Sequence, residues 1–100
     1  MNIEIVEAYP TQLGGQNKKR IAYSLHVYII DFDIDFRGVI AIKYKDSYII
    51  RMPSRTSLDE ETQKYVQYPI LSFSNREKFK ELVNLIKEKT IEYISKKESA

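Results

Sequence analysis

Ile21, Tyr23, Leu25, Val27 and Ile29 recur at every second position, with Ala22, Ser24, His26 and Tyr28 between them. A period of two sends alternate side chains to opposite faces of a sheet, so the spacing predicts a strand over about 19–30. Residues 2–9 alternate more weakly. Ile3 and Ile5 share one face and Glu4 takes the other, but Val6 breaks the order. Thr11 to Asn17, with Gly14-Gly15 inside it, reads as a turn, so the first two strands are expected to form a long antiparallel hairpin. Asp31, Asp33 and Asp35 then alternate with Phe32, Ile34 and Phe36, and a third strand is expected over 36–43. Lys45-Asp46-Ser47 turns the chain into a fourth strand over 47–52, which Pro53 ends because proline has no N–H for the ladder. Ser54 to Lys64 is polar, with Asp59-Glu60-Glu61, and reads as a mobile loop. Residues 65–70 form a further short edge strand, where Pro69 is tolerated.

Near Ser74 the period changes from two to about 3.6. Phe79, Leu82, Val83, Ile86, Thr90, Tyr93 and Ile94 fall on one helical stripe, which predicts a helix over about 75–95. Ser74 with Glu77 three residues on makes a capping box, and Glu92 with Lys96 an i,i+4 pair in the favourable order. Lys89 sits inside the edge of the stripe, where its alkyl stem can lie on apolar surface, and Ile91 lies on the polar side. The expected fold is α+β: an antiparallel sheet of about four to five strands with one long C-terminal helix packed on one face, as a single domain over 1–100. One helix covers only part of such a sheet, so the other face is solvated or meets a partner.

Composition narrows the function. Hydrophobic residues make up 43% and charged residues 30%, which is a globular balance and not a disordered one. There is no cysteine, hence no disulfide framework and no thiolate chemistry. No apolar run reaches the roughly 18 residues of a membrane span. The N-terminus lacks the basic start and apolar stretch of a signal peptide, so a cytoplasmic protein is expected. One histidine without cysteine makes no zinc site, no Ser/His/acid arrangement is visible, and there is no glycine-rich phosphate loop. Asp31, Asp33 and Asp35 mimic the start of a calcium loop, but Phe36 and Ile42 stand where its glycine and closing glutamate are required. Neither an enzyme nor a cofactor or small-molecule substrate is expected. The net charge of +2 does not by itself mark a polyanion binder, so the distribution of charge has to carry that question.

One order of motifs is more specific. Ile49-Ile50-Arg51-Met52-Pro53-Ser54-Arg55 is followed by a polar stretch containing Asp59 and Glu60, then by Tyr68-Pro69-Ile70, then by Arg76-Glu77 at the head of the helix. This order resembles the stage V sporulation protein G (SpoVG) family of small bacterial regulators, over about two thirds of the chain. Tyr68 stands where the family has histidine. The resemblance implies a cytoplasmic homodimer formed largely through the sheet. It implies binding to DNA, and in some cases RNA, in septation, sporulation and gene control, with no catalysis and no cofactor.

Candidate contact residues follow from charge. Lys18-Lys19-Arg20 is the densest basic run, with no acid between Glu7 and Asp31. It suits a phosphate grip driven by counterion release, or else a solvated turn that blocks edge pairing. Arg51 and Arg55 flank Met-Pro-Ser, and the planar guanidinium fork suits phosphate or guanine. A cross-strand pair for Arg51, and an ion pair with Asp59 or Glu60 for Arg55, are the plainer readings. Lys87, Lys89, Lys96 and Lys97 would extend a basic surface in a dimer, or be balanced by Glu88, Glu92 and Glu98. Tyr23, Tyr28, Tyr44 and Tyr48 could stack bases on the sheet, or pack in a core or dimer interface. A protein-interaction module that uses an exposed sheet edge and Ile91, without nucleic acid, is the alternative to a nucleic-acid-binding regulator.

Overall fold

The computed structural model of the chain describes residues 1–69 and 74–99, with the side chains of residues 17, 55–57, 65–69 and 99 outside that description. Strands β1 (Ile3–Thr11), β2 (Ala22–Ile29), β3 (Ile34–Tyr44) and β4 (Ser47–Arg51) form one antiparallel sheet in sequence order. β5 (Ser54–Asp59) and β6 (Lys64–Pro69) pair separately, and helix α1 (Arg76–Ser99) packs across one face of the larger sheet, touching β1 and β4. This is the α+β arrangement that the periodicities predict.

The core lies between that face and the helix. Leu82, Ile86, Thr90 and Ile94 form one line at a spacing of four and are buried against Ile3, Ile5 and Ala8 of β1, Leu25, Val27 and Ile29 of β2, Val39 and Ala41 of β3, and Tyr48 of β4. A fully buried leucine or isoleucine contributes about 1.5–3 kcal/mol, so Leu82 and Ile86, with no exposed surface, anchor the helix. Ile91, read from sequence as a polar-side residue, packs against this core at the β4 side. Two register shifts adapt the sheet. One lies between Ile5 and Glu7, which leaves Val6 exposed and explains its break in the alternation. In the other, Leu25 faces Val39 and His26 faces Arg37, so Gly38 is the extra residue, in a left-handed conformation (φ 89°) that glycine adopts without strain.

Several sequence expectations change. β2 begins at Ala22 and not at 19, so the basic run lies in the connection ahead of it. β3 starts at Ile34 and takes in Asp35 and Phe36. The helix extends to Ser99, beyond the expected end at 95. Its cap is Asn75 and not Ser74: the Asn75 Oδ1 accepts the Glu77 N–H at 2.9 Å. The largest correction concerns Ser54 to Lys64. The expected loop is the first strand and turn of a hairpin, and the expected 65–70 strand pairs with β5, not with the edge of the main sheet; Ile70 lies outside the described residues. The turn is closed by the Gln63 N–H on the Asp59 carbonyl at 2.8 Å, with Gln63 left-handed at φ 59°. Asp59 Oδ1 accepts the Glu61 N–H at 3.0 Å.

Ala41 points into the core, so its neighbour Ile42 lies on the sheet face away from the helix. Thr11, Ala22, Ile42 and Ile49 make one row across that face by register. Ala22 and Ile42 are buried there although they do not belong to the helix-side core, while Ile49 is 47% exposed.

Candidate nucleic-acid interface

The basic run reaches its place through two turns. After β1 the chain passes Gly15, left-handed at φ 62°, and a single 3-10 turn over Gly15–Asn17 that the Lys18 N–H closes on the Gly15 carbonyl at 3.4 Å. Lys18, Lys19 and Arg20 follow, all exposed. The Lys43 N–H donates to the Ile21 carbonyl at 2.8 Å, which ties this connection to the end of β3. There the chain reverses through Lys45, left-handed at φ 56°, and Asp46 into β4.

Lys18, Lys19, Arg20, Lys43 and Lys45 therefore share one end of the sheet, with Asp46 as the acid of the β3–β4 turn. None of the five cations forms an ion pair within the chain among the described residues. Instead, two of them face an aromatic ring. The Arg20 guanidinium lies 5.6 Å, and the Lys45 ammonium 5.4 Å, from the centre of Tyr44. Lys43 and Lys45 were not among the residues that the sequence singled out. The signal that finds them is the register that pairs Ala22 with Ile42, which brings the start of β2 beside the last residues of β3.

Three aspartates gather at the other end. Asp31, Asp33 and Asp35 lie where β2 passes into β3, seven residue steps along β2 from the basic turn, roughly 23 Å at about 3.3 Å per residue. Each has a partner. Asp31 accepts the Asn2 N–H at 3.1 Å and lies 3.8 Å from the terminal ammonium, Asp33 accepts the Tyr28 hydroxyl at 2.7 Å, and Asp35 lies 3.6 Å from His26 Nε2. The hydrogen bond to Asp33, followed by burial, pushes the Tyr28 hydroxyl above its ordinary range. Among the described residues no three metal-ligating side chains converge.

The remaining candidates disperse. Lys89 and Lys96 both reach Glu92, at 3.9 and 3.4 Å, on the β1 side of the helix, and Lys97 lies 5.1 Å from the Tyr93 ring. Lys87 is half-buried. Arg51 is exposed on the face away from the helix, opposite Ile40 and without an acid across the strand. Arg55 pairs with Tyr68 in the β5–β6 hairpin, and its side chain lies outside the described residues.

The tyrosines separate as well. Tyr23 packs edge-on against Tyr48 at 6.3 Å on the helix side of the sheet, and burial, ahead of any nearby charge, pushes the Tyr48 hydroxyl upward. Tyr28 stands among carboxylates. Tyr44 is 47% exposed among cations. Among the described residues no helix is long and apolar enough to cross a membrane. Comparisons with family models, with curated proteins and with solved structures found no match.

Proposed function

We propose that this chain is a small homodimeric nucleic-acid-binding regulator, DNA ahead of RNA, of the kind the stage V sporulation protein G family represents. The observation that carries the reading is the gathering of Lys18, Lys19, Arg20, Lys43 and Lys45 at one end of the sheet, without ion pairs of their own. The modest net charge of +2 conceals this, because it sums over the whole chain, and Asp31, Asp33 and Asp35 sit at the opposite end. A phosphate backbone laid on the basic end releases its counterions and meets five cations against Asp46 and Glu98. The motif order from Arg51 to Arg76 and the sheet-plus-helix fold are both consistent with the family. Arg55 and Arg51 remain contact residues in this proposal. Lys87, Lys89, Lys96 and Lys97 take a secondary place, because Glu92 lies within ion-pair distance of Lys89 and Lys96 and offsets one of their two charges.

Two features support a dimer through the sheet. Beyond the pair of Ile40 with Arg51, β3 from Ile34 to Val39 has no strand beside it on the β4 side among the described residues. Open edges of this kind are commonly covered by a partner. The row containing Ile42 and Ile49 also leaves apolar surface on the face away from the helix. That same row favours the second reading, a protein-interaction module whose binding is insensitive to salt.

Replacing Lys18, Lys19 and Arg20 together by alanine tests the site. Each lost phosphate contact should reduce the slope of log K against log salt by about 0.9, so the triple variant should bind duplex DNA more weakly and with a visibly flatter slope. Unchanged affinity and slope would remove the basic end from the account.

A further inference from the structure

We infer that Tyr44 is a stacking site for one base of a single-stranded nucleic acid, with the basic end holding the flanking phosphates. The inference rests on the proposed nucleic-acid reading and narrows its ligand. Of the tyrosines able to act as platforms, Tyr23 and Tyr48 are spent on each other and on the core, and Tyr28 is bonded to Asp33 in acidic surroundings. Tyr44 alone among these four combines an exposed ring with a cationic setting. It lies next to the β3–β4 turn, opposite Ser47, whose small side chain leaves the approach across the strand open. The Arg20 guanidinium beside it is itself a planar group on which a base can stack.

The geometry argues for a single strand. A base within a duplex keeps its faces against its neighbours, so an isolated ring at a sheet end has no face to meet there. In a single strand every base has a free face, and stacking tolerates any sequence. Arg20 and Lys45 flank the ring itself, Lys18 and Lys19 lie in the adjoining connection, and the hydrogen bond from the Lys43 N–H to the Ile21 carbonyl keeps the two turns together. Recognition would therefore combine one stacked base with several phosphates and read little sequence.

The test is fluorescence anisotropy with three labelled probes, a short oligothymidylate, the matching oligouridylate and a mixed-sequence duplex DNA, against the full chain and its Tyr44→Ala and Tyr44→Phe variants. Tyr44→Ala should lose about tenfold in affinity for the single strands, with the salt slope unchanged because no charge is removed. Tyr44→Phe should bind as the parent does, since the ring is kept, and the duplex should be affected far less. The tighter of the two single strands identifies the ligand as DNA or RNA. Parental affinity of Tyr44→Ala for both single strands, or an equal loss on duplex, overturns the inference. If duplex binding still depends on Lys18, Lys19 and Arg20 in that case, the broader nucleic-acid reading stands. If the parent chain binds none of the three probes, both readings fall.

Discussion

Thr90 is the one polar side chain among the described residues that is fully buried, and its Oγ1 has no hydrogen-bond partner. A hydroxyl left unsatisfied in an apolar core costs about 1–3 kcal/mol, and valine has the same branched shape without that group. Thr90→Val should therefore stabilise the protein by about 1 kcal/mol, a rise in Tm of roughly 4–8 °C for a domain of this size. Thermal unfolding followed by circular dichroism checks this, and an unchanged or lower Tm would mean that the hydroxyl is satisfied in solution. The sequence placed Thr90 on the apolar stripe correctly, since the spacing of four from Leu82 to Ile94 is visible in the letters. Its neighbour in difficulty, the cap, was less legible. Ser74 and Asn75 are both good cap residues, and Glu77, three residues from Ser74 but two from Asn75, fits the capping-box spacing only for Ser74, so the letters point to the neighbour of the actual cap.

At the scale of elements, β1 to β4 and α1 were readable because each is apolar on one face and polar on the other, which imprints a period. Of the β5–β6 hairpin, the strand over 65–70 was readable but β5 was not. The stretch from Ser54 to Lys64 carries no apolar alternation: Leu58 is its one apolar residue and is 45% exposed. The pair contacts the rest of the chain only sparsely. A two-stranded hairpin is marginal on its own in water, so its hydrogen bonds should open more readily than those of the central strands. Amide hydrogen exchange should show β5 and β6 exchanging orders of magnitude faster than β2 and β3 in the free protein. Equal protection of both pairs would show that the hairpin is held by contacts this account does not include.

For the molecule as a whole, the governing property is the separation of charge along the sheet. Composition hides it, since sixteen basic and fourteen acidic residues nearly cancel. The run Lys18-Lys19-Arg20 was legible as a cluster, whereas Lys43 and Lys45 join it only through the register between β2 and β3, a long-range fact that no local pattern records. The helix lysines failed in the opposite way. They look clustered in the sequence, but Glu92 lies one helical turn from both Lys89 and Lys96 and offsets one of their two charges. A field of this kind acts at long range and is screened by salt, so its consequences appear in binding more than in stability.

The most direct test of the central claim is an electrophoretic mobility shift on the parent chain, with mixed-sequence duplex DNA and RNA at two salt concentrations, after its mass in solution has been measured. The account predicts the mass of two chains and a shift that weakens steeply as salt rises. No shift at low salt up to tens of micromolar protein, roughly the range of non-specific binding, would contradict it and leave the protein-interaction module as the better description.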